Sequence, residues 1–84
     1  MYTVVFSERA EKQLEKLERN IQIRIINALE RIRIRPESYI VKLVGESGYK
    51  FRIGDYRVIM DISQEKLLIL VIKVGHRKEV YQKH

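Results

Sequence analysis

The run Tyr49–Ile62, Y-K-F-R-I-G-D-Y-R-V-I-M-D-I, leaves the chain few conformations to choose from. Apolar residues recur at alternate positions on both sides of Gly54-Asp55, a dipeptide suited to a two-residue hairpin loop between strands Tyr49–Ile53 and Tyr56–Ile62. Such a loop fixes the register. Ile53 pairs with Tyr56, Arg52 lies opposite Arg57, Phe51 faces Val58 and Lys50 faces Ile59. Tyr49, Phe51, Ile53, Tyr56, Val58, Met60 and Ile62 then share one face, while Lys50, Arg52 and Arg57 share the other. Like charges directly opposite weaken a strand pair by about 0.2–1 kcal/mol. Sheet stability alone gives no reason for this crowding, whereas an anion seated between the cations does.

The rest of the chain supplies elements for this hairpin to pack against. Tyr2–Phe6 is β-branched and aromatic and reads as a strand, followed by Ser7 as a helix cap. Ala10, Leu14 and Leu17 recur at helical spacing through Glu8–Arg19, with Glu and Lys on the other side as a solvated face. Asn20 breaks or caps this helix. Ile21, Ile25, Ala28, Leu29 and Ile32 form the stripe of a second helix that runs to about Arg35, where Pro36 ends it. Ile23, Ile26 and Ile34 widen that stripe and suggest deep burial or coverage by a partner. Tyr39–Val44 is extended or a short strand, and Gly45–Gly48 is a turn. After the hairpin, Ser63–Lys66 turns into Leu67–Val74, whose nearly continuous apolar character predicts a central strand covered on both faces.

The expected fold class is therefore α+β in the order β-α-α-β-β-β. A two-helix hairpin packs on one face of an antiparallel three-stranded meander, with the N-terminal strand placed to join the sheet beside the last one. At 84 residues the expectation is a single domain over 1–84.

Charge points to the partner class. The chain carries 17 Lys and Arg against 11 Asp and Glu, a formal net charge of +6. Residues 49–84 hold eight basic and four acidic residues, so the excess gathers in the C-terminal part. This favours an acidic partner, RNA foremost, although an acidic protein would also satisfy it. The absence of cysteine removes disulfides, thiolate catalysis and cysteine metal sites. No apolar stretch approaches the roughly 18 residues of a membrane span, and no signal peptide is legible, so a cytoplasmic location without membrane contact is expected.

A second cluster, V-G-H-R-K-E-V-Y at Val74–Tyr81, adds Arg77 and Tyr81. His76 could serve as a base, but a lone histidine is more often structural. The two histidines and the four acidic residues of this half lack metal-ligand spacing, so neither a metal nor another cofactor is expected. Gly45, Gly48 and Gly54 read as turn residues and do not form a phosphate loop.

G-D-Y-R-V followed about 20 residues later by G-H-R-K-E-V-Y resembles the RelE/ParE superfamily of toxin–antitoxin toxins. The resemblance extends over essentially the whole chain in length, charge and element order. It implies, on the RelE branch, a ribosome-dependent mRNA endoribonuclease that cleaves without a metal. Lys50 and Arg52 match the basic pair on the strand before the turn, Arg57 the arginine after it, and Arg77 and Tyr81 the arginine and tyrosine near the C-terminus. The resemblance to ParE implies instead a DNA gyrase inhibitor sharing the fold, and a degenerate binding module is the third alternative. The presence of all five positions favours RelE.

The implied roles suit the residue types. Guanidinium groups at Arg57 and Arg77 would hold charge developing on phosphorane oxygens. Lysine, unlike arginine, can give up its proton among neighbouring cations, making Lys50 the candidate base, while Arg52 binds phosphate. Arg52 departs from the family, which often has lysine there. Tyr81 would stack on a nucleobase. The implied partners are mRNA, the ribosome and a cognate antitoxin in a hetero-oligomeric complex, docked on the basic face and the excess isoleucines.

Overall fold

A computed structural model describes residues 1–76. Its elements are β1 (Thr3–Phe6), α1 (Glu8–Glu15), α2 (Arg19–Arg31), a 3₁₀ turn (Pro36–Ser38), β2 (Val41–Lys42), β3 (Tyr49–Ile53), β4 (Tyr56–Ser63) and β5 (Leu68–His76). One five-stranded sheet has the order β1-β5-β4-β3-β2. β1 runs parallel to β5, and every other pairing is antiparallel. The expected α+β class and element order are those observed, including the N-terminal strand beside the last one.

Both helices cover one sheet face. Ala10 and Leu14 from α1, together with Ile25, Ala28 and Leu29 from α2 and Ile32 at its C-terminus, meet Phe51, Ile53, Val58, Met60, Ile69, Val71 and Val74. The helical stripe expected from sequence is thus the buried stripe. Ile23, Ile26 and Ile34 are exposed, so deep burial of these three is corrected. β5 also departs from expectation. Ile69, Val71 and Val74 are buried on the helix side, but Leu68, Leu70 and Ile72 are half-buried, so the strand is not sealed on both faces.

Helix boundaries differ from the sequence reading because side chains from elsewhere satisfy the backbone. α1 stops at Glu15 rather than Arg19. The amide of Gln22 donates to the carbonyls of Leu17 at 2.8 Å and Glu15 at 3.3 Å, taking up acceptors orphaned at the helix end. Asn20 accordingly lies inside α2 and is not its cap. α2 ends at Arg31, short of Arg35. Just beyond it the Arg33 carbonyl accepts from the Tyr2 N–H, and Arg33 Nε donates to the Tyr2 carbonyl, both at 2.8 Å. Pro36 opens the 3₁₀ turn instead of terminating the helix.

An irregularity in the β4–β5 ladder falls between Ile59 and Met60. Ile59 pairs with Lys73 but Met60 with Val71, leaving Ile72 as the extra residue of a bulge. α1 secures it. Ser7 Oγ accepts from the Ala10 N–H and donates to the Ile72 carbonyl, each at 3.1 Å. The Val74 N–H, beyond the reach of β1, donates to Gln13 Oε1 at 2.8 Å.

Candidate nucleic-acid interface

Gly54 has φ +60 and Asp55 is not in the positive-φ region, the pattern of a type II′ hairpin turn. The turn closes the hairpin in the expected register: Lys50↔Ile59, Phe51↔Val58, Arg52↔Arg57 and Ile53↔Tyr56. Lys50, Arg52 and Arg57 therefore share the sheet face turned away from the helices. Arg52 is exposed and its Nε donates to the Gly54 carbonyl at 3.3 Å. Lys50 is half-buried.

Arg57 is 8% exposed and is the one buried charged side chain among the described residues. Its Nη1 donates to the Tyr56 carbonyl at 3.4 Å. Across the other edge of β4, Arg57 pairs with Gly75. A buried cation on a central strand has little freedom left to lose when an anion arrives.

Two further residues join this face without having been anticipated. The bulge at Ile72 reverses the alternation of β5, so Lys73 lies opposite Ile59 on the cationic side. The row across the sheet then reads Val41, Lys50, Ile59, Lys73. The sequence signal is the break of alternation in L-I-L-V-I-K-V, where Lys73 interrupts the apolar run. Tyr39, just after the 3₁₀ turn, is 49% exposed and meets Phe51 edge-on at 6.2 Å between ring centroids. Tyr39, Val41, Lys50, Arg52 and Arg57 together line a cavity of about 210 Å³. A concave site walled by three cations and an aromatic ring can hold a phosphate with a base or sugar beside it.

His76 falls elsewhere. It pairs with Tyr56, on the helix side of the sheet, and meets that ring edge-on at 5.7 Å. It does not share a face with Arg57, which supports its structural reading. Arg77 and Tyr81 lie outside the described residues. Among the described residues, no group of three His, Asp or Glu side chains could hold a metal ion, and no helix is long and apolar enough to cross a membrane.

The chain resembles known proteins over nearly its full length. Residues 4–81 match the family model described as the ParE toxin of type II toxin–antitoxin system, parDE. No curated protein sequence matches. Among solved structures, the fold superposes on a chain of a RelBE toxin–antitoxin complex from Mycobacterium tuberculosis with a TM-score of 0.83 and 29% identity, covering 90% of this chain and 98% of that one. The isolated E. coli RelE toxin is 31% identical with a TM-score of 0.77, over 99% of this chain and 94% of that one. The intact E. coli RelBE complex gives 30% identity and the same TM-score, over 90% and 96%. By this family match and these superpositions, the chain belongs to the RelE/ParE superfamily of toxin–antitoxin toxins, on its RelE-like branch.

Proposed function

We propose that this toxin is a metal-independent endoribonuclease acting on mRNA at the ribosome and held in check by a cognate antitoxin. One observation carries the reading: Lys50, Arg52 and Arg57 converge on the sheet face turned away from the helices and wall a single cavity with Tyr39. The chemistry is transfer of a phosphodiester within the RNA. The 2′-hydroxyl gives its proton to Lys50 Nζ, acting as the base, and attacks the adjacent phosphorus. The bond from phosphorus to the 2′-oxygen forms, the bond to the 5′-oxygen breaks, and that oxygen leaves with a proton from water. The products are a 2′,3′-cyclic phosphate and a 5′-hydroxyl.

Charge on the non-bridging oxygens grows towards the transition state. Cations already fixed in place stabilise it more than they stabilise the starting diester. Arg57, fixed by burial, is assigned that role, and Arg52 the binding of phosphate. The resemblance assigns Arg77 the same charge-holding role as Arg57 and Tyr81 the stacking of a base.

The antitoxin reading rests on the RelBE complexes among the similar structures. The exposed Ile23, Ile26 and Ile34 and the basic face are the surfaces it would cover. The second reading, inhibition of DNA gyrase without catalysis, is favoured by the ParE family model. Induced expression followed by primer extension on cellular mRNA separates the two. In-frame cuts at translated codons, absent with Arg57→Ala, support the ribonuclease; intact transcripts with DNA damage overturn it in favour of gyrase.

A further inference from the structure

A second, larger hollow lies around the rim of the basic face, between α2 and the tip of the hairpin. It measures about 570 Å³ and is lined by residues of α2 and β3 together with Tyr39 and Gly54. This volume falls within the range of about 300–1,000 Å³ typical of ligand sites. Three polar residues of α2 face it: Arg24, Asn27 and Arg31. Their spacing of three and four residues puts them along one side of the helix, beside the buried stripe. Among the described residues, no acidic side chain lines the hollow. Among the described residues, neither Arg24 nor Arg31 makes an ion pair.

The hollow is continuous with the site already described, because Tyr39 and Arg52 line both. Gly54 sits at the junction. A Cβ at that position would come within 3.1 Å of Arg24 Nη2 and 3.3 Å of its Cζ, so the guanidinium lies flat against the turn. Arg52 Nε meets the same residue's carbonyl. Arg24 and Arg52 thus bracket the hairpin tip and lead one cationic track from the basic sheet face around to α2. The half-exposed ring of Tyr39 stands where the track turns.

We propose that this groove is a second RNA subsite, which holds the single strand as it leaves the cavity walled by Lys50, Arg52 and Arg57. Arg24 and Arg31 bind successive phosphates, and Tyr39 stacks on the base at the corner. The proposal rests on the reading of the basic face as an RNA site. It adds how far the strand extends and in which direction. A cationic track interrupted by an exposed aromatic fits a single-stranded nucleic acid, whose bases stack irrespective of sequence. An acidic protein segment would need the charges but not the ring.

The test uses the full chain and labelled single-stranded RNA with 2′-O-methyl riboses, which block cleavage, read by fluorescence anisotropy. One oligonucleotide has about three nucleotides and the other about ten, the latter long enough to span both sites. Removing two phosphate contacts from a single strand lowers the log–log salt slope by about 1.4, which corresponds to roughly tenfold in affinity near physiological salt. The double variant Arg24→Ala with Arg31→Ala is therefore expected to lose about that factor for the longer RNA and nothing for the shorter. Tyr39→Ala should weaken the longer RNA without changing the salt slope. Equal loss for both lengths, or no loss for either, overturns the subsite. So does a polyglutamate peptide that depends on Arg24 and Arg31 as strongly as the RNA does. Failure of the basic-face reading looks different: Arg57→Ala leaves the short RNA unaffected, or the wild-type chain binds neither length.

Discussion

Arg52 and Arg57 stand directly opposite one another across the β3–β4 ladder, one exposed and the other buried. Residues so paired have Cα atoms about 4.5–5.5 Å apart, so their positive charges oppose folding and favour an anion. Arg52→Ala is expected to leave stability unchanged or raise it by up to about 1 kcal/mol. The same change should lower single-turnover cleavage at subsaturating RNA by roughly fourfold, the scale of losing one phosphate contact on a single strand near physiological salt. Urea unfolding checks the first effect and single-turnover cleavage the second. A parallel loss of stability and activity would mean that Arg52 is structural.

Lys50 faces Ile59 on the same side and carries a different burden from the arginines. If it takes the proton of the 2′-hydroxyl, Lys50→Arg keeps the charge and removes the base. RNA affinity should then stay within a few-fold of wild type while the cleavage step falls by about 10²–10⁴. Lys50→Met should lose both. Anisotropy on a 2′-O-methyl oligonucleotide and single-turnover rates on the cleavable one read the two properties separately. A Lys50→Arg variant that cleaves normally would assign the base elsewhere.

Gln13 and Val74 are far apart in sequence, yet the side chain of one accepts the backbone N–H of the other at 2.8 Å. Val74 is buried, so losing the amide leaves that donor without its partner in a site shielded from water. Gln13→Leu should destabilise the fold by about 1–3 kcal/mol, the penalty of a buried unpaired group. Denaturant unfolding measures it, and hydrogen exchange should accelerate first at Val74. Retained stability with a slow-exchanging Val74 amide would show that another acceptor replaces Gln13.

At the hairpin tip, Gly54 is the residue whose φ of +60 the turn requires. An alanine there costs about 1–2 kcal/mol for the left-handed backbone alone and meets Arg24 as well. Gly54→Ala should lower the unfolding midpoint and reduce RNA affinity together, because the register that opposes Arg52 to Arg57 depends on this loop. Substitution at Gly45, whose added Cβ meets nothing within 4 Å, tests strain without contact. Its expected effect is on stability alone.

Much of this was legible residue by residue. The period-2 pattern around Gly54-Asp55 and the geometry of a two-residue loop were enough to pair Arg52 with Arg57, because both are local properties of a short chain segment. The apolar stripes at Ala10 and Leu14 and at Ile25, Ala28, Leu29 and Ile32 likewise announced the faces that became the core. The helix ends were not legible. Glu15 and Arg31 are last in their helices because Gln22 and Tyr2 supply partners just beyond them, and a periodicity argument contains no such information.

The sequence by itself determined the element order, the buried faces of the helices and the hairpin, and the gathering of three cations on one hairpin face, since these follow from side-chain period and turn length. Only the tertiary structure decided what shares the cationic face. The bulge at Ile72, held by the Ser7 hydroxyl, turns Lys73 onto the face of Lys50 and His76 onto the helix side with Tyr56. Packing of Tyr39 on Phe51 and of Arg24 on Gly54 joins two hollows into one track. The physical reason is the same in each case. A strand's register past an irregularity, and the neighbours of an exposed ring, are set by distant backbone groups finding hydrogen-bond and packing partners, and that requirement is met only when the whole chain has closed.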